Sequence, residues 1–141
     1  MKSKIKSLEI RNEIVKFWPN CYTLNTDIDY ELPTVAELKK IIKETESFKI
    51  ENLNKNDICD DVSIILWGKV KEIRNKLSKT STYKMLSWPL GICFGTSFNG
   101  WPSPHWQNLC FTTDGLYLIE GQTFEFWKPS FPDDNVFFVL I

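Results

Sequence analysis

The chain has 141 residues, 17 Lys and Arg against 18 Asp and Glu, and a formal charge of -1 with a pI near 5.9. So balanced a charge removes the electrostatic case for nucleic acid or an anionic membrane surface as partner, and leaves a protein, a peptide or a small molecule. Six Trp and ten Phe within a 43% hydrophobic composition exclude a disordered chain and suffice for one packed core.

The length suits one domain over 1–141, with 1–29 as an N-terminal helical extension. Residues 4–18 place Ile5, Leu8, Ile14, Val15 and Trp18 in a loose helical pattern that Pro19 ends. In "LPTVAELKKIIKETESF", Thr34 and Glu37 have capping-box spacing, and Leu38, Ile41 and Ile42 form one apolar face. The polar stretch "KIENLNKND" follows. In "NDICDDVSIILWGKV" a helix is expected to open at Cys59, with Asp60 and Asp61 in its first turn at the positive end of the dipole. Val62, Leu66, Val70, Ile73 and Leu77 then recur every three or four residues.

After "SKTSTYK" the period becomes two. "GICFGTSF" sets Ile92, Phe94, Thr96 and Phe98 on one side, and "HWQNLCFT" and "LYLIEGQTF" flank the turn signal Asp114-Gly115. "NVFFVLI" reads as a last strand, apolar enough to lie inside the sheet; another reading has the edge of "VFFVLI" exposed, which would offer a route to a homo-oligomer. Helices followed by a small antiparallel sheet make an α+β domain. No apolar run nears the roughly 20 residues of a membrane span and the charged start lacks a signal peptide's apolar segment, so a soluble cytoplasmic protein is expected. Cys21, Cys59, Cys93 and Cys110 show no CxxC spacing; with a single histidine, neither a metal nor a cofactor is expected, and free thiols are the default.

His105 is the only imidazole, and it opens the first strand of the hairpin. A two-residue turn at Asp114-Gly115 sets it opposite Phe124, with Gln122 diagonal; a four-residue "TTDG" loop sets it opposite Gln122, with Glu120 diagonal. Asn108 has the other parity and points away. A thiol at a helix start has its anion favoured by the dipole and by free backbone N–H groups, although Asp60 and Asp61 oppose it as like charges. A strand histidine can carry the proton, and an oxygen on the next strand can orient the ring. Each feature also has an ordinary explanation: Cys59 as a small buried hydrophobe, His105 as a structural residue, Glu120 and Gln122 as a solvent face.

"YELPTVAELKKII", "NDICDDVSIILWGKV" and "WPLGICFGTSFNGWPSPHWQNLCFTTDGLYLIEGQTFEFW" resemble a family of small papain-like domains typified by the C-terminal domain of a mushroom (Marasmius) agglutinin, with bacterial and phage relatives. The resemblance spans about Tyr30 to Trp127. It rests on an acidic cluster after a cysteine (D-C-D-D-F-A in the family), then H-A-x-N, then I-E-P-Q-T about ten residues on. Val62-Ser63, Trp106 and Gly121 depart from that pattern. It implies a papain-like fold, with Cys59 as nucleophile, His105 as general base and acid, and Glu120 or Gln122 orienting it. The chemistry would be that of a thiol hydrolase or transferase, a cysteine peptidase-like enzyme on an amide or ester bond. Asn56 and Asn54 are the side-chain candidates for an oxyanion hole. The alternative is a silent binding protein that sequesters a small signalling molecule or inhibits a host protein, with Trp88, Trp101, Trp106 and Trp127 as a stacking surface.

Overall fold

The computed structural model describes residues 3–45 and 59–141. The helix expected at 4–18 begins later: Lys4–Lys6 is a strand (β1) and Ser7–Phe17 the helix (α1), with Glu9 accepting the Lys6 backbone N–H at 2.7 Å. Two short strands follow, β2 (Tyr22–Leu24) and β3 (Asp29–Glu31), and β3 pairs antiparallel with β1. Within 1–29, read as a helical extension, the described residues 3–29 form a helix between strands, and Ile10 and Ile14 of α1 lie fully buried. Helix α2 (Val35–Thr45) has the expected capping box: the Glu37 N–H donates to Thr34 Oγ1 at 3.1 Å, and the Thr34 N–H to Glu37 Oε2 at 2.8 Å. Helix α3 runs from Cys59 to Thr80, with Asp60 and Asp61 in its first turn.

Five strands complete the chain: β4 (Leu90–Ser97), β5 (His105–Thr112), β6 (Gly115–Ile119), β7 (Phe126–Trp127) and β8 (Asn135–Leu140). The main sheet has six strands in the order β2-β8-β4-β5-β6-β7, and β2 lies parallel to β8. The α+β class holds, but the sheet is mixed rather than small and antiparallel. The terminal strand lies inside the sheet, as its apolar run predicts: β4 pairs it between Asn135 and Leu140, and β2 pairs Phe138–Leu140 on its other side.

Alternation along β5 sends Leu109 and Phe111 to one face and Cys110 to the other. On the first face they pack with Ile10 and Ile14 of α1 and with Leu118 and Val139. On the second, Cys110 packs with Leu38 and Ile42 of α2, Leu66 and Val70 of α3, Leu90 and Ile119. Register shifts at Phe94/Gly95 and Gly95/Ser97 break the parity of β4, so Phe98 joins the α1-side core instead of sharing a side with Phe94. Among the described residues no helix is long and apolar enough to cross a membrane.

Candidate functional site

The β5–β6 ladder pairs Thr112 with Gly115 and closes at Asn108 opposite Ile119, the register of the "TTDG" alternative. One step further sets Gln107 opposite Glu120 and leaves His105 diagonal to that carboxylate. His105 Nε2 lies 3.0 Å from Glu120 Oε2, and Gln107 Nε2 donates to the same oxygen at 2.9 Å. Glu120 Oε1 accepts the Gln122 backbone N–H at 3.1 Å. Three donors therefore converge on one carboxylate. Burial disfavours its charge, but the hydrogen bond with His105, that with the Gln122 N–H and the attraction of His105 outweigh burial, and the Glu120 pKa falls below the ordinary value. An acceptor facing Nε2 holds the proton there, which leaves Nδ1 as the basic nitrogen. Phe98 meets the imidazole edge-on, ring centres 6.0 Å apart, and steadies a ring that is 26% exposed.

Gln122, the other candidate orienter, contributes only its backbone. The chain leaves β6 after Ile119 and turns through 121–123, so its side chain is exposed instead of facing His105 across a ladder. Gln107 was not among the expected site residues, although its parity with His105 in "HWQN" could have shown it. Buried at 3% exposure, it fixes the second side of Glu120 Oε2.

Cys59 is the first residue of α3, half-buried with a free thiol, and its carbonyl accepts the Ser63 hydroxyl at 2.7 Å. Asn108 sets the position of this helix head. Pointing away from the His105 side as parity requires, it donates Nδ2 to Ser63 O at 2.9 Å and to Gly91 O at 3.1 Å. Gly121, directly after Glu120, packs under the same turn: a Cβ there would stand 3.0 Å from Val62 Cγ1 and 3.2 Å from Asn108 Oδ1. The first turns of α3 thus rest on the Asn108 face of β5, opposite the face that carries His105, and beside Gly121; Cys59 is not among the residues that line the cavity around His105. Asn54 and Asn56 lie outside the described residues.

The expected tryptophan surface divides. Trp101, 75% exposed, and Trp127 line a cavity of about 290 Å³ together with Phe98, His105, Gln107 and Glu120. Trp106 faces the other way, its ring 5.1 Å from Phe94 and 6.1 Å from Phe138, because it has the opposite parity to His105. Trp88 is buried elsewhere, with the Arg74 guanidinium 4.2 Å from its ring centre. Among the described residues no group of three or more His, Cys, Asp or Glu could hold a metal ion.

The chain shares its fold with half of a lectin. A structure described as the "PSL1a-E64 complex" superposes with a TM-score of 0.76 at 15% identity, over 98% of this chain and 50% of the other. Polyporus squamosus lectin bound to the epitope Neu5Aca2-6Galb1-4GlcNAc superposes with a TM-score of 0.72 at 16% identity, over 98% and 49%. The chain spans about half the length of both chains, and the lectin so named is from Polyporus squamosus and not Marasmius. Neither a family model nor a curated protein matches the sequence.

Proposed function

We propose that this is a papain-like thiol hydrolase or transferase acting on an amide or ester bond, with Cys59 as nucleophile, His105 as proton carrier and Glu120 as the residue that orients it. The observation that carries the reading is the 3.0 Å contact between His105 Nε2 and Glu120 Oε2, which leaves Nδ1 free to take a proton. Supporting it, α3 carries Cys59 at its positive end, its head is held to β5 through Asn108, and one structure of the same fold is described as an E64 complex.

In the proposed cycle His105 Nδ1 takes the Cys59 proton. The thiolate attacks the carbonyl carbon, a C–S bond forms, and the oxygen's negative charge meets the free backbone N–H groups at the head of α3. His105 returns the proton to the departing amine nitrogen or alkoxide oxygen, leaving a thioester on Cys59. Water or another acceptor then adds with its proton passing to Nδ1, and the C–S bond breaks to regenerate the thiol. Asn54 and Asn56 stay candidates for a side-chain oxyanion donor.

Alkylation tests this reading. Iodoacetamide and E-64 should each add once, at Cys59, ahead of Cys21, Cys93 and Cys110; burial raises the last three, Cys21 to about 11. Adducts that fall first on Cys21, or a Cys59 no faster than a thiol in the urea-unfolded chain, would overturn it.

A second reading, a binding protein without chemistry, is favoured by Trp101 exposed at the rim of the His105 cavity and by the glycan-bound lectin of the same fold. The variant Cys59→Ala separates the two: full biological effect without the thiol supports binding alone, and loss of the effect with ligand still held supports catalysis.

A further inference from the structure

The cavity beside His105 combines carboxylates with aromatic rings. Glu120 and Glu125 supply the first, Phe98, Trp101 and Trp127 the second, and among the described residues neither Lys nor Arg lines it. Lys128, next to Trp127 in the chain, is drawn elsewhere: its Nζ lies 3.3 Å from Asp114 Oδ2 and over the Tyr117 ring. Both oxygens of Glu120 are occupied, Oε2 by His105 and Gln107 and Oε1 by the Gln122 N–H. Glu125 is exposed, and its carboxylate has no ion pair among the described residues. It is the charge left to meet a ligand.

Trp101 is the other half of the site. At 75% exposure it forfeits most of the stabilisation that burial of an indole would bring, yet its backbone is firmly held. It closes the two-residue turn Asn99-Gly100, whose φ values of 51° and 78° are both positive. The Trp101 N–H donates to the Phe98 carbonyl at 2.9 Å, the Phe98 N–H to the Trp101 carbonyl at 3.2 Å, and the Gly100 N–H to the Asp133 carbonyl at 3.0 Å. The buried Asp134 ties this turn to the opposite wall, since its Oδ1 accepts both the Asn99 N–H at 2.8 Å and Trp127 Nε1 at 2.9 Å. One carboxylate thus fixes the strand turn that presents Trp101 and the ring of Trp127, which lowers the ordering cost of binding between them.

The face of an indole attracts a cation, and an alkylated nitrogen, weakly hydrated and broad, suits it best. A carboxylate on the same cavity adds Coulomb attraction and turns anions away. A volume of about 290 Å³ lies at the small end of small-molecule sites and takes a compact head group.

We infer that the cavity beside His105 binds a small organic ammonium ion, its charged head against Trp101 and Trp127 and facing the Glu125 carboxylate. The inference goes beyond the chemistry proposed above: it needs neither a reactive thiol nor a reaction, and its test does not read Cys59.

The probe is choline, with 3,3-dimethylbutan-1-ol as its uncharged counterpart of the same shape, titrated into the full chain labelled with 15N. The Trp101 indole N–H signal, assigned from Trp101→Leu, should move with choline. The alcohol should bind about tenfold more weakly or worse, because it lacks the charge that ring and carboxylate recognise. Glu125→Gln should weaken choline about threefold and leave the alcohol unchanged, and Trp101→Leu, followed through the backbone amides of residues 98–101, should weaken choline about fivefold. Both side chains are exposed, so neither change threatens the fold. No movement of the Trp101 signal at tens of millimolar choline, equal affinity for choline and the alcohol, or full affinity for choline in both Glu125→Gln and Trp101→Leu would overturn the inference.

Discussion

Replacing Glu120 by Gln keeps nearly the same shape and removes the charge on which three donors converge. The carboxylate receives His105 Nε2 at 3.0 Å, Gln107 Nε2 at 2.9 Å and the Gln122 N–H at 3.1 Å. A Gln side chain that turns its carbonyl toward His105 and Gln107 sets its NH2 against the Gln122 N–H. Turned the other way, it sets that NH2 against the Gln107 amide, and His105 can answer only by moving its proton to Nδ1, the nitrogen the thiol needs. Hydrogen bonds to a charged group are worth about 1.5–3 kcal/mol and neutral ones about 0.5–1.5, so the hold on the productive ring weakens by about 1.3 kcal/mol. At about 1.4 kcal/mol per decade that is roughly a tenfold fall in rate. The assay is the alkylation rate of Cys59 near neutral pH by peptide mass spectrometry, with Cys21 as internal reference. Because His105 is the only histidine, its 15N signals report the tautomer directly. A Cys59 rate within twofold of the parent, with unchanged imidazole signals in a folded protein, would refute the reasoning.

Acid should act through the same carboxylate. The native Glu120 pKa is below its ordinary 4.5, so its stabilisation is fully present above that value and is lost as pH falls through the lower native one; urea midpoints should drop less steeply in acid for Glu120→Gln than for the parent. Gly121→Ala should cost about 1–3 kcal/mol by overpacking, since the added methyl meets Val62 and Asn108, and it should slow Cys59 alkylation by displacing the head of α3; an unchanged melting temperature would contradict this. Arg74→Ala should cost about 3–5 kcal/mol, measured by urea unfolding, because it strips a buried cation from Glu31 and a donor from the Leu86 carbonyl; a loss below about 1 kcal/mol would mean the pair is not buried as described.

Local signals in the sequence were reliable where the physics is local. The Thr34–Glu37 box starts α2, the three-and-four spacing from Cys59 defines α3, and alternation assigns Trp106 and Asn108 to the face opposite His105. The hairpin left two registers open, because Asp114-Gly115 fits either loop length. The structure selects the one that brings Glu120 to His105, and the turn at 121–123 then removes Gln122 from the strand. What no local pattern carries is pairing at long range. The parallel match of Tyr22–Leu24 with Phe138–Leu140 joins opposite ends of the chain, and it is the pairing that sets β8 inside the sheet. The β4 irregularity that moves Phe98 beside His105 is equally silent, since it arises from the partner strand β8.

The proposed chemistry requires that the reactivity of Cys59 depend on His105. Alkylation of Cys59 by iodoacetamide should be followed against pH in the parent and in His105→Ala. The parent should show a Cys59 rate well above that of Cys21 at neutral pH, and removal of the imidazole should cut it at least tenfold while Cys21 is unaffected. A Cys59 rate that is the same with and without His105 would contradict the claim that the two act together.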